Sequence, residues 1–299
     1  MGLQQTVDDI EAATGLRAYV HARQFDGGEV GARADEAVVA ASVFKVPVLV
    51  EACRQMAAGE LDPSRRVDLA PEDFAVMGPT GIAVFTDAVT LSFRDLCLSM
   101  MTVSDNRATD VVMSIVGLDR INETMRSLGL TKTVLDGDCA ALFASIKDDL
   151  GLDDDLDVSG GFEFDLLARG DQALLETRAL NAERTNRTTP REASELFRRL
   201  WTQDGIDPEA CAEARRILHL QVWPHRLRSG FPDDSILVSG KTGTLPFVRN
   251  EAAVVEYPDG RSYAVSVFLR TPSPASVAPR FDRAIGEIAA AAVAELRAV

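Results

Sequence analysis

Apolar positions recur at helical spacing in some stretches of this chain and alternate with polar ones in others. Residues 5–14 show the helical period and stop at Gly15. From Leu16 to Arg23, Ala18, Val20 and Ala22 alternate with Arg17, Tyr19 and His21, which predicts a strand with one buried face. The Asp26-Gly27-Gly28 turn and a second short strand, Glu29–Arg33, complete a hairpin. Ser42 to Met56 sets Val43, Val46, Leu49, Val50 and Cys53 on one helical face. Helices are also predicted over 92–101, 105–116 and 119–128, where Asp105 and Asp119 occupy N-cap or first-turn positions. Thr189-Pro190-Arg191-Glu192 opens another helix, with proline at its N-terminus. Strands return at Ile236–Ser239, Glu251–Tyr257 and Tyr263–Leu269, the last two joined by the turn Pro258-Asp259-Gly260-Arg261. Residues 279–298 form a closing helix.

Strands at both ends therefore bracket a helical middle. The expected class is α+β: one antiparallel sheet built from the N-terminal hairpin and the C-terminal strands, flanked by helices, with an inserted all-helical domain. The expected boundaries are 1–38 together with 205–299 for the sheet domain, and 39–204 for the insert. Leu135 to Arg187 carries Asp148, Asp149, Asp153, Asp154, Asp155 and Asp157 and few helix or strand signals. It reads as an acidic loop, because the D-x-D-x-D-G calcium pattern is absent.

Charge narrows the partners. The chain has 299 residues and a formal net charge of −15, which disfavours nucleic acid and anionic membrane surfaces. Its longest weakly polar run, Ile288 to Ala294, is too short to span a bilayer. The first residues show neither a basic nor an apolar leader region, so the expectation is a cytoplasmic chain, or a secreted or periplasmic one if a leader was trimmed. Cys53, Cys97, Cys139 and Cys211 have no C-x-x-C spacing, so free thiols are expected and no metal site.

The common catalytic motifs can be set aside. Three histidines make no H-E-x-x-H, and G-x-S-x-G and G-x-G-x-x-G are missing. Gly240-Lys241-Thr242 resembles the end of a phosphate loop, but Ser235 stands where that loop needs its first glycine. What remains is the placement of lysine, with four lysines against twenty-seven arginines. Lysine can lose its proton when buried, and arginine cannot. Lys45 comes three residues after Ser42, so hydroxyl and amine share a helix face, and an amine of lowered pKa can activate a serine. Alone, the pair is equally an N-cap serine and a snorkelling lysine. Ser104-Asp105-Asn106 alone is a capping sequence, and Lys241-Thr242-Gly243 alone is a strand end with a turn. Together and in this order they supply a nucleophile, a base, a proton shuttle and a carboxylate clamp.

With these motifs the chain resembles the class A serine β-lactamases, and more broadly the penicillin-recognising serine hydrolases. The likeness runs from about residue 15 to the C-terminus and includes Ser42-Val43-Phe44-Lys45, Ser104-Asp105-Asn106, Thr188-Thr189-Pro190, Lys241-Thr242-Gly243-Thr244 and Arg249-Asn250-Glu251. The resemblance implies a five-stranded sheet meeting the helical insert at the active-site groove. It implies Ser42 as nucleophile, Lys45 as base and Ser104 as proton relay to the leaving nitrogen. Asn106 would hold Lys45 and the substrate amide, Lys241 and Thr242 would bind the substrate carboxylate, and Arg249 would strengthen that pocket. The N–H groups of Ser42 and Thr244 would form the oxyanion hole. No cofactor is implied, and the partner would be a small acyl compound with a carboxylate, bound by a monomer.

One departure stands out. Members of this family that turn over β-lactams carry E-x-x-L-N before the Thr-Thr-Pro helix, where the glutamate activates the deacylating water. Here the nearest text is Glu176-Thr177-Arg178-Ala179-Leu180-Asn181, one residue too long, and Glu183 is a second candidate for that base. The implied function is β-lactam opening through a Ser42 acyl-enzyme. The alternatives are a cytoplasmic esterase, amidohydrolase or acyltransferase on another acyl substrate, and a non-catalytic binder of a carboxylate ligand. The complete Ser42, Lys45, Ser104 and Lys241 set argues against the last.

Overall fold

A computed structural model describes residues 2–74, 78–152, 171–274 and 278–298. In chain order the elements begin with α1 (Leu3–Thr14), β1 (Arg17–Gln24), β2 (Glu29–Ala32), β3 (Val38–Val39), a 3-10 turn (Ala41–Phe44) and α2 (Lys45–Ala57). The helical region continues through β4 (Arg66–Leu69), β5 (Val89–Ser92), α3 (Phe93–Thr102), α4 (Asn106–Val116), α5 (Leu118–Ser127), α6 (Cys139–Leu150) and α7 (Asp171–Leu175). Next come β6 (Arg187–Thr188), α8 (Pro190–Thr202), α9 (Pro208–Leu218), β7 (Leu237–Leu245), β8 (Val248–Glu256), β9 (Ser262–Arg270) and α10 (Pro279–Arg297).

Five strands form one antiparallel sheet in the order β2-β1-β9-β8-β7, so the N-terminal hairpin joins the C-terminal strands through the β1–β9 pair. Both faces of this sheet are covered, and the period-two geometry of a strand divides its side chains between two cores. On β8, Ala253 and Val255 pack with α1 and α10 residues such as Val7, Ile285 and Ile288. Their neighbours Ala252 and Val254 face the other way, into a core shared with Leu49, Leu96, Met100 and Phe197 of the helices. Strand β9 divides likewise: Val265 and Val267 on the first side, Ala264 and Phe268 on the second. α8 packs on the sheet against β9, β1 and β8, whereas α9 packs on α2 and α3.

Helix ends obey the capping chemistry of the sequence. Asp105 caps α4 by accepting from Ala108 N, and Thr189 caps α8 by accepting from Glu192 N ahead of Pro190. Two expectations need correction. Ser42 to Met56 is not one helix: a 3-10 turn carries Ser42, and α2 starts at Lys45. Pro47 is tolerated there because N–H groups in the first turn of a helix have no partner to lose. Residues 135–187 are not simply a loop either. Asp138 caps α6, accepting from Ala141 N, and α7 lies further on. Asp153, Asp154, Asp155 and Asp157 lie outside the described residues.

Candidate active site

The first three motifs meet where the helices abut β7. Ser42 is half-buried in the 3-10 turn, and the N–H of Lys45 closes that turn on Ser42 O. The backbone leading into the turn is held from several directions. Asn250 Nδ2 on β8 donates to Val39 O (2.9 Å) and Ala40 O (3.1 Å), and Ala40 N donates to Asn186 O (2.9 Å). Ala41 has φ of 44°, a left-handed conformation that is costly for a residue with a Cβ and persists only where surrounding contacts impose it. Gly243 of β7 passes so close that a Cβ there would lie 2.9 Å from Ala40 O and 3.2 Å from Ser42 N. The Lys241-Thr242-Gly243-Thr244 segment is therefore strand throughout, and its glycine permits the approach to the serine.

Lys45 is fully buried. Its Nζ donates to Ser104 O (2.8 Å), Ser104 Oγ (3.2 Å) and Asn106 Oδ1 (2.8 Å). Burial lowers its pKa below the usual lysine range, with the carboxylates of Asp105 and Asp110 pulling the other way. Ser104 also has a left-handed backbone, φ 63°. Asp105 holds it there from the next position. Its carboxylate accepts from Ala108 N (3.0 Å), Ile82 N (2.7 Å) and Ser99 Oγ (2.7 Å).

Lys241, also buried, donates from Nζ to Thr242 O (3.0 Å). Its pKa falls well below the lysine range, first through burial and then through the neighbouring charges of Lys45 and Arg226, with Glu251 opposing. Gln221 links the segment after α9 to this strand: Oε1 accepts from Thr242 N (2.7 Å), and Nε2 donates to Glu251 Oε1 (2.9 Å). Thr244 is exposed at the mouth. The guanidinium that reaches its Oγ1 is that of Arg226 (2.7 Å), which also donates to Gly243 O and Asn250 O and pairs with Asp282. Arg249 is buried beside it, 3.6 Å from the same Asp282. Arg226 was not among the sequence candidates, and nothing in its local pattern separates it from the other arginines.

The candidate bases named above are Glu176 and Glu183. Both are exposed, and Glu176 Oε1 accepts from Gln172 Nε2 (2.6 Å). Among the hydrogen bonds of the described residues, neither carboxylate reaches Ser42, Lys45, Ser104 or Asn106. The residue that does reach is Cys139. Asn106 and Asp110 lie one turn apart on α4 and share a face. Asp110 accepts from Cys139 N (2.8 Å) and Ala140 N (3.0 Å), gripping the start of α6. This brings Cys139 Sγ to 3.5 Å from Asn106 Oδ1, the atom that also binds Lys45. Cys139 is 2% exposed, and burial pushes its thiol pKa up, so it stays protonated. Burial also raises Asp110, to about 6, with Asp138 adding to the effect.

Among the described residues, no group of His, Cys, Asp and Glu side chains could hold a metal ion, and no helix is long and apolar enough to cross a membrane.

A sheet with helices on both faces thus carries at its edge the turn of Ser42 and, beside it, the buried Lys45 bonded to Ser104 and Asn106. The chain belongs to the beta-lactamase enzyme family, whose model matches residues 2–296. It is 26% identical over 281 residues to the beta-lactamase regulatory protein BlaB of Streptomyces cacaoi, covering 89% of this chain and 88% of that protein. It is 26% identical over 275 residues to a beta-lactamase of Rhodobacter capsulatus, covering 89% and 80%. Among solved structures, a beta-lactamase of Sphaerobacter thermophilus superposes with a TM-score of 0.78 at 24% identity, covering 100% of this chain and 98% of that one. A mutant of PBP-A, solved as an acyl-enzyme complex with penicillin G, superposes with a TM-score of 0.75 at 18% identity, with the same coverage.

Proposed function

We propose that this protein opens β-lactams by acylation of Ser42. Lys45 takes the proton from Ser42 Oγ as the Oγ–C bond forms. The lactam C–N bond then breaks, and Ser104 passes the proton to the leaving nitrogen. The N–H groups of Ser42 and Thr244 receive the oxyanion, each such donor contributing about 3–4 kcal/mol to transition-state stabilisation. Asn106 fixes Lys45 and the substrate amide. Lys241, Thr242 and Arg249 bind the substrate carboxylate, and Arg226, bonded to Thr244 Oγ1, joins them. All these groups belong to one chain, so a monomer suffices.

The observation that carries this reading is the Lys45 amine, buried and hydrogen-bonded to Ser104 and Asn106. An amine whose pKa is lowered by burial gives up its proton more readily than an exposed lysine and is the better base for it. The experiment is intact-mass analysis after incubation with penicillin G. Because the leaving nitrogen is tethered in the ring, the expected adduct has the mass of the whole penicillin, and it disappears in Ser42→Ala. An adduct that survives Ser42→Ala, or no adduct and no turnover in the wild type, contradicts the proposal.

A further inference from the structure

We propose that Asn250 is a positioning residue for the oxyanion hole, its side-chain amide holding the Ser42 N–H in register with the Thr244 N–H. The inference rests on acylation of Ser42 as argued above and concerns how the two donors are kept together. They come from different parts of the fold, Ser42 from the 3-10 turn and Thr244 from β7. As Ser42 Oγ bonds to the acyl carbon, the carbonyl π electrons move onto oxygen, and they return when the C–N bond breaks. A donor pair lowers this barrier only when both N–H groups point at the one place where the oxyanion forms. The gap between turn and strand therefore has to be fixed before the substrate arrives.

Asn250 is 1% exposed and stands opposite Gly243 in the β7–β8 register, one rung from the Thr244–Arg249 pair. Its Nδ2 crosses from the sheet to donate to Val39 O (2.9 Å) and Ala40 O (3.1 Å). Two carbonyls can be met only by the NH2 end of the amide, which has two protons to give. Ala40 O is also the acceptor for Val43 N (3.2 Å), the bond that closes the turn around Ser42. One oxygen thus starts the nucleophile's turn and ties it to β8. The main chain of Asn250 is itself held, since its O and Gly243 O both accept from Arg226 Nη1, at 3.0 and 2.9 Å. Without the side-chain amide, Val39 O and Ala40 O lose a buried donor, and the left-handed Ala41 (φ 44°) is free to relax. The remaining Ala40 N bond, to Asn186 O, ties the turn to the chain before β6 and not to the five-stranded sheet. Lys45 keeps its place, because its partners lie on Ser104 and Asn106.

The test reads acylation and its pH dependence separately. The second-order rate constant for acylation by penicillin G is taken as kcat/KM, or from adduct growth by intact mass. In Asn250→Ala it should fall about 10²-fold, the scale for a reacting group displaced by about an ångström. The pH limb of that constant should keep its wild-type midpoint, since the Lys45 amine and its partners are untouched. Thermal unfolding identifies folded protein. Asn250→Ser, whose donor is one atom shorter than that of asparagine, serves with the same readout if the alanine variant does not fold. A folded variant that acylates at the wild-type rate would overturn the inference. So would a slowed variant whose pH limb has moved, since the loss would then run through Lys45. Neither adduct nor turnover in the wild type would instead overturn the acylation reading, and this inference with it.

Discussion

Lys45 and Lys241 are both buried, but their surroundings assign them different work. Lys45 Nζ has three acceptors, two of them on Ser104 and the third on Asn106. Its lowered pKa makes the neutral amine accessible, which is the form that can take a proton from a serine. Lowering the pH protonates the amine and removes the base. The rate of Ser42 acylation should therefore rise with pH across the Lys45 titration, in a limb below the ordinary lysine range. Lys45→Arg keeps the positive charge but cannot lose a proton, so acylation should fall by about 10²–10⁴-fold and the limb should vanish. Stopped-flow acylation rates at a series of pH values check this. Equal rates for wild type and Lys45→Arg would remove Lys45 from the chemistry.

At the scale of elements, His21 shows how β1 is joined to α8. Arg191 Nη1 lies 3.0 Å from His21 Nε2, and Ser194 Oγ lies 2.6 Å from Nδ1. Arginine only donates, so Nε2 accepts, the ring proton sits on Nδ1, and Ser194 passes its own proton to Arg191 O. The ring is neutral. Burial, then Arg191, lowers its pKa from 6.5 to about 4, with Glu29 opposing. Because the folded value is the lower one, the unfolded chain binds more protons between these limits. The stability is present in full above pH 6.5 and is lost as the pH falls towards 4. The loss is about 3 kcal/mol. Urea unfolding across this window should show a steeper decline for wild type than for His21→Gln. Parallel curves would show that the histidine is not held neutral by its surroundings.

The same scale explains what could be read from the chain beforehand. The α4 start was legible because Asp105 is a local cap, and the sheet strands because β-branched and alanine residues recur in them. The α6 start was hidden. Its aspartates suggested a loop, and the grip of Asp110 on its first two N–H groups is a tertiary contact across 29 residues. The left-handed backbones of Ala41 and Ser104 were equally invisible, since neither residue type announces a positive φ. In the site, Ser42, Lys45, Ser104, Asn106 and Lys241 were readable from short motifs. Arg226 was not, because its role depends on Asp282 and Thr244 meeting it from distant elements.

Across the whole molecule, an acidic chain of net charge −15 concentrates basic side chains at one edge of its sheet. Lys45, Lys241, Arg226 and Arg249 all lie buried there, with Asp282 and Glu251 among them. The guanidiniums of Arg226 and Arg249 keep their charge when buried, and charges held in a low-dielectric cleft attract anions more strongly than the same charges would in water. This suits a substrate with a carboxylate next to its reactive acyl group. It also explains why β7 is walled in: α9, Gln221 and the 3-10 turn all press on the strand that bears Lys241 and Thr242. The nucleophile belongs to the helical side and the carboxylate clamp to the sheet, so the reaction depends on the two being held in register. The crystal structure of the protein reacted with penicillin G tests this most directly. The expected map has continuous density from Ser42 Oγ to the opened lactam carbonyl, that carbonyl oxygen between the N–H groups of Ser42 and Thr244, and the carboxylate against Lys241, Thr242, Arg249 and Arg226. Penicillin bound elsewhere, or joined to any other side chain, would contradict it.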